Sequence, residues 1–137
     1  MRDIKFRGKD KENWHYGDLV REIRHHDNKL FNGTIIHIRN FEYKNGDYVG
    51  DIFPVNPETV GQYTGLKDIH GVEIYEGDIV LIGNHFKALV KYSDIYAEYM
   101  IISTNSIAYE CESLADYIDS TEVLGNKHDN PELLGGK

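Results

Sequence analysis

Apolar residues in this chain recur mostly with a period of two, not 3.6, and turn-forming residues interrupt the pattern every 8–12 residues. That pattern limits the fold more than any other feature. A period of two suits half-buried β-strands, because successive side chains leave opposite faces of the backbone. Ile4-Lys5-Phe6-Arg7 alternates in this way, and Gly8 to Asn13 is turn chemistry. Trp14-His15-Tyr16-Gly17-Asp18-Leu19-Val20 reads as strand, a Gly-Asp turn or bulge, and strand again, so an opening hairpin is expected. Residues 21–33 are polar, contain Asp27-Asn28 and Asn32-Gly33, and read as a long turn or a broken strand.

Residues 34–43 are rich in β-branched and aromatic side chains, which suit a pleated surface. Asn45-Gly46 follows them. This pair tolerates the positive φ angles of a type I′ turn, so 47–55 should return as the partner strand. Pro54 and Pro57 should end it, since neither can donate a ladder hydrogen bond. Downstream, a short strand is predicted at 60–64, a turn at Leu66-Lys67-Asp68 and a tight reversal at His70-Gly71. A two- or three-residue strand and the Glu76-Gly77-Asp78 turn then lead into a strand at 79–83. Strands at 86–93 and 95–104 follow, then one or two helical turns from Ser113 as cap, a strand near 123–126, and a helical turn with Asn130 as cap and Pro131 first. The expected fold is therefore mainly β, with antiparallel strands forming a small barrel or sandwich and one or two short C-terminal helical turns. No strand–helix alternation points to a doubly wound nucleotide-binding fold.

The chain has 137 residues, enough for one domain over 1–137 or for two β lobes, a hairpin-rich 1–56 and a barrel-like 57–137. Its net charge of −8 is uneven: residues 1–44 carry ten Lys/Arg against seven Asp/Glu, and residues 45–137 five against sixteen. So acidic a chain repels a nucleic-acid backbone. The basic residues Arg2, Lys5, Arg7, Lys9, Lys11, Arg21 and Arg24 could form a local patch, lie on a solvated strand face, or pair with acidic residues of the second half. No run of about 18 apolar residues is present, so no membrane association is expected. Met1-Arg2-Asp3-Ile4-Lys5 leads into no apolar stretch, and Cys111 is the single cysteine; both favour a cytoplasmic location.

Catalytic chemistry finds little purchase. His-Glu-x-x-His and Cys-x-x-Cys spacings are absent, His25-His26 would point to opposite faces of a strand, and His37 sits in one that reads as half-buried, so no metal or cofactor is expected. Asp68, Glu76 and Asp78 could converge as a metal-dependent hydrolase would need, but turn-stabilising roles explain the same residues. The glycines meet neither P-loop nor dinucleotide spacing, and no serine lies in a nucleophile elbow. Cys111 has no basic neighbour in sequence to favour a thiolate. Tyrosine stands out instead. Tyr43, Tyr48, Tyr63, Tyr75, Tyr92, Tyr96, Tyr99, Tyr109 and Tyr117 are more than a small core should bury with every hydroxyl satisfied, and tyrosine is a common interface residue.

Tyr16-Gly17-Asp18-Leu19-Val20 resembles Tyr75-Glu76-Gly77-Asp78-Ile79-Val80, and Gly8-Lys9-Asp10 resembles Gly65-Leu66-Lys67-Asp68, one local solution used twice or a coincidence. Three segments look like the YopX family of phage and prophage proteins. They are Ile4 to Asp10 with Trp14 and Tyr16-Gly17-Asp18; Gly61 to Asp68 continuing through Ile74 to Val80; and Val123-Leu124-Gly125-Asn126 with Asn130-Pro131-Glu132-Leu133-Leu134. Residues 21–56 and 84–120 match only loosely. The resemblance implies a mainly β protein encoded by a phage or prophage and made in the bacterial host cytoplasm. It brings no established activity, so no catalytic residue can be carried over. The residues singled out, as binding site or as fold signature, are Trp14, Tyr16, Gln62, Tyr63, Thr64, Gly65, Asp68, Tyr75, Glu76, Gly77 and Asp78. The expected function is an accessory protein acting by binding rather than catalysis, as a homo-oligomer or on a phage or host protein. The alternatives are a single-stranded nucleic-acid module with Trp14, Tyr16 and Tyr63 as its stacking surface, and the hydrolase.

Overall fold

The computed structural model describes residues 3–26, 29–104 and 111–135, by backbone alone within 22–35. Its strands divide into two compact units, Asp3–Gln62 and Tyr63 onward.

In the first unit, β1 (Phe6–Lys9) pairs antiparallel with β2 (Trp14–His26), β2 with β3 (Lys29–Lys44), and β3 with β4 (Asp47–Pro54). The first part of β5 (Asn56–Lys67) returns along β1, giving the order β4-β3-β2-β1-β5. Asp10 shapes the first hairpin: its Oδ1 accepts the N–H groups of Glu12 at 3.0 Å and Asn13 at 2.9 Å. Asn45 and Gly46 have φ of 52° and 87°, the positive angles that the Asn-Gly pair predicts. Ile38 and Val55 are buried, and His15 stacks on Phe53 with ring centroids 3.9 Å apart.

Of the two readings of 21–33, the broken strand holds and the long turn does not: residues 21–26 and 29–33 are paired strand, in register from Asp18↔Arg39 to Arg24↔Gly33, with a shift before His26↔Lys29. The ladder hydrogen bonds of a long hairpin outweigh the polar side chains there. Residues 27 and 28 lie outside the described residues. Gly17-Asp18 makes no turn: β2 runs straight through, and Gly17 is needed because a Cβ would collide with the carbonyl oxygen of Arg39. Pro54 does end β4, but Pro57 is the second residue of β5 and is exposed.

In the second unit, the remainder of β5 pairs with β6 (Glu73–Tyr75). Leu66 and Lys67 belong to β5 rather than to a turn, and the reversal comes at 68–71, where the Gly71 N–H donates to the Asp68 carbonyl at 3.0 Å. A five-stranded antiparallel sheet follows, in the order β10-β9-β8-β7-β11. Its strands are β7 (Asp78–Ile82), β8 (Phe86–Ser93), β9 (Glu98–Ser103), β10 (Cys111–Ser113) and β11 (Thr121–Asn126). Strand β9 starts at Glu98, because 94–97 form the preceding turn.

Two 3-10 helices complete the unit, Ala115–Ser120 and Pro131–Gly135. Ser113 does not cap the first. It closes β10, and Leu114 precedes the helix with no side-chain cap. The side chain of Asn130 turns back to accept the Asn126 N–H at 3.2 Å. Ile74, Val80, Ile82, Ala88, Val90, Ile101 and Leu114 form one buried cluster, with Leu66 packed against it. Burying each large member contributes about 1.5–3 kcal/mol. The β5–β6 ribbon thus lies on the five-stranded sheet as in a sandwich. The sheet has two edges, β10 and β11, and does not close into a barrel. No helix among the described residues is long and apolar enough to cross a membrane.

Candidate functional site

The segment 62–80 and the C-terminal segment meet in the second unit, in a corner built around two buried aspartates. Asp68 is 7% exposed. Its Oδ1 accepts the N–H groups of His70 (2.8 Å) and Val72 (2.9 Å), and its Oδ2 that of Val123 (2.9 Å). Burial pushes its pKa up, but the backbone donors of Val123, Val72 and His70 outweigh that and hold it below its ordinary value. Asp78 is 2% exposed, and its Oδ2 accepts the Tyr75 N–H at 2.8 Å across the Glu76-Gly77 turn. Gly77 has φ of 92° there, which a side chain would resist. Its N–H donates to the Val90 carbonyl and its carbonyl accepts from Lys127, both at 2.9 Å.

Other residues of the segment serve the same corner. Tyr63 and Tyr75 are cross-strand partners, buried, with ring centroids 5.5 Å apart. The Tyr75 hydroxyl donates to Glu73 at 3.1 Å. Thr64 Oγ1 accepts the Leu66 N–H at 3.1 Å, and Gly65 (φ 86°) lies where the β5–β6 register shifts. Glu76 is half-buried and accepts the Tyr92 N–H at 3.4 Å. The oxygens of Asp68, Glu76 and Asp78 are thus directed to separate backbone donors. No group of three or more His, Cys, Asp or Glu that could hold a metal occurs among the described residues. The resemblance between Asp18 and Asp78 does not extend to their surroundings: Asp18 is exposed at 3.7 Å from Arg39, whereas Asp78 is buried in a turn. Asp10 and Asp68 do match, each gathering N–H groups two to four residues ahead.

Trp14, Tyr16 and Gln62 lie in the first unit, Gln62 paired with Phe6. The guanidinium carbon of Arg7 sits 4.7 Å from the Trp14 ring centroid and the Lys9 ammonium 5.9 Å, while Arg7 itself is 6% exposed. The basic segment is therefore not one exposed patch, and the side chain of Arg24 and all of Arg2 lie outside the described residues.

The cross-strand pairs Asp18↔Arg39, Arg39↔Ile52, Phe41↔Gly50 and Tyr43↔Tyr48 place these residues on one face of the sheet, with Tyr16 two positions before Asp18. Tyr16, Phe41, Tyr43, Tyr48 and Ile52 are all exposed, Tyr43 at 66% and Tyr48 at 74%. A shallow concavity of about 230 Å³ on Asp18, Arg39 and Phe41 is open and smaller than the several hundred Å³ usual for a ligand pocket. Of these five only Tyr16 is among the expected site residues; Phe41, Tyr43, Tyr48 and Ile52 are not. Alternation on both sides of Asn45-Gly46 is the sequence signal that could have found them. Of the remaining tyrosines, Tyr92 and Tyr96 are exposed in the second unit, and Tyr109 lies outside the described residues.

The crystal structure of protein EF1440 from Enterococcus faecalis is similar to this chain, with 26% identity, 98% of this chain and 99% of that chain covered, and a TM-score of 0.54. No curated protein matches the chain. The family model described as YopX protein matches residues 5–135, and the chain belongs to that family.

Proposed function

We propose that the protein is a non-catalytic binding module that works as a homo-oligomer, an accessory protein of a phage or prophage in the cytoplasm of a bacterial host. One contrast carries this reading: the buried carboxylates of the 62–80 segment serve backbone donors, while aromatic side chains of the first unit face solvent. A hydrolase needs carboxylates free to meet a substrate or a metal. An interface needs rigid, amphipathic area, which tyrosine supplies. On this reading the 62–80 segment is a fold signature, and binding belongs to the exposed aromatic side chains.

Light scattering on the purified protein across the micromolar range tests the proposal. A mass above that of one chain, rising with concentration, is expected. A strictly monomeric mass overturns the oligomer, and turnover of a substrate by the pure protein overturns the non-catalytic assignment. Asp78→Asn separates fold signature from active site, because the turn role requires a lowered melting temperature.

A further inference from the structure

We propose that the surface through which this protein self-associates is the aromatic face of the first unit, and that its occupant is the same face of a second copy. This rests on the homo-oligomer reading and adds where the contact lies. An antiparallel sheet with one face on a core normally shows a polar face to water. Here Ile38 and Phe53, cross-strand partners, lie on the core side, with Ile38 fully buried. Further along the β3–β4 ribbon that same side becomes mostly polar, carrying Asn40, Asp51, Glu42, Lys44 and Asp47 beside Val49. The opposite side carries the five exposed apolar side chains, so the ribbon turns its apolar side away from its own core.

Area and charge identify the occupant. Given their fractional exposures, Tyr16, Phe41, Tyr43, Tyr48 and Ile52 offer about 500 Å² per copy. Two such faces bury about 1,000 Å², the lower bound for a specific interface, and a polar rim adds to it. A two-fold contact sets a surface against itself, so a face of one sign repels its copy. Residues 1–62 hold ten Lys/Arg and ten Asp/Glu, a balance of zero, and the face itself carries both Asp18 and Arg39. Residues 63–137 hold five and thirteen, which is the whole net charge of −8. The most exposed apolar pair among the described residues of that acidic unit, Ile95 at 88% and Tyr96 at 67%, lies between Asp94 and Glu98. Self-contact there would bring like charges together, whereas the first unit's face meets its copy without net repulsion.

Sedimentation velocity on three full-length proteins tests this: wild type, Tyr43→Ser with Tyr48→Ser, and Tyr92→Ser with Tyr96→Ser. The expected result is a wild-type dimer whose dissociation constant changes little with added salt. The 43/48 variant should dimerise at least tenfold more weakly, and the 92/96 variant should match wild type. Amide hydrogen exchange on wild type supplies a readout independent of variant folding: protection over 41–52 should rise with protein concentration. A dimer unaffected by the 43/48 changes, or concentration-dependent protection at 94–99 instead, overturns the assigned surface while leaving self-association standing. A wild type that stays monomeric at every concentration overturns both.

Discussion

The Oδ2 of Asp68 accepts the backbone N–H of Val123, 55 residues further along the chain, at 2.9 Å. The same carboxylate holds the His70 and Val72 N–H groups through Oδ1, so one buried side chain shapes the β5–β6 hairpin and fixes β11 beside it. An asparagine has one acceptor oxygen, and its NH2 would face either Val123 or the hairpin donors. Hydrogen bonds to a charged acceptor contribute about 1.5–3 kcal/mol, and a buried donor left without a partner costs a similar amount. Asp68→Asn should therefore destabilise the protein by about 2–3 kcal/mol, and Asp68→Ala by more. Urea denaturation followed by circular dichroism should show a lower midpoint at unchanged slope. A loss under about 0.5 kcal/mol would show that the network is not holding the corner.

Acid should expose the same carboxylate. The three backbone donors keep the pKa of Asp68 below its ordinary value despite burial, whereas in the unfolded chain it ionises near 4. A depressed folded pKa gives stability that is fully present above about pH 4 and is lost as pH falls through the folded value. Asp10 acts in the same direction: its hydrogen bond with His15, then those from Asn13 and Glu12, lower its pKa to about 2. The urea midpoint of wild type should fall as pH drops from about 4 towards about 2, and Asp68→Asn should flatten part of that fall. Parallel curves for the two proteins over this window would remove Asp68 from the acid transition.

This corner also separates what the sequence discloses from what it hides. The run 86–93 matches β8 end to end, and Asn45-Gly46 turns as its backbone preferences require, because side-chain alternation and positive φ are local properties. For 21–26 the sequence leaves a long turn and a broken strand equally open, since Arg21, Glu22, Arg24, His25 and His26 look like loop residues until a partner strand supplies their hydrogen bonds. Asp68 could be read as a turn residue from the glycines around it. Its bond to Val123 could not, because no local pattern encodes a contact across 55 residues. The aromatic face lay between: each tyrosine was visible, but register alone determines which of them share a side.

Gly50 is where the β3–β4 ribbon accepts no side chain. A Cβ there would collide with the carbonyl oxygen of Asn40, on the strand that Gly50 pairs beside. Gly50→Ala must push the two strands apart and should cost about 1–3 kcal/mol, the range for forced overpacking. Gly46→Ala, with nothing within 4 Å of its Cβ, meets only the positive-φ penalty and should cost about 1 kcal/mol. Faster amide exchange across 47–54 in Gly50→Ala, and not in Gly46→Ala, is the expected pattern. Equal effects from both would mean that close approach does not determine the ribbon's spacing.

Trp14, the single tryptophan, gives a direct test of nucleic-acid binding through the N-terminal strands. A stacking platform must offer an open ring face to a base, with net positive charge nearby. Here Arg7 already lies 4.7 Å from the ring centroid, Lys9 lies 5.9 Å away, and residues 1–62 carry no net charge. Titrating wild type with an oligothymidine at low salt should leave the Trp14 emission unchanged. Arg7→Ala removes a contact in a class contributing about 0.5–2 kcal/mol and uncovers the ring, so its emission should shift to the red without any oligonucleotide. Saturable quenching of wild type that disappears as salt rises would overturn this prediction, because it would require the cations to leave the ring and let a base take their place.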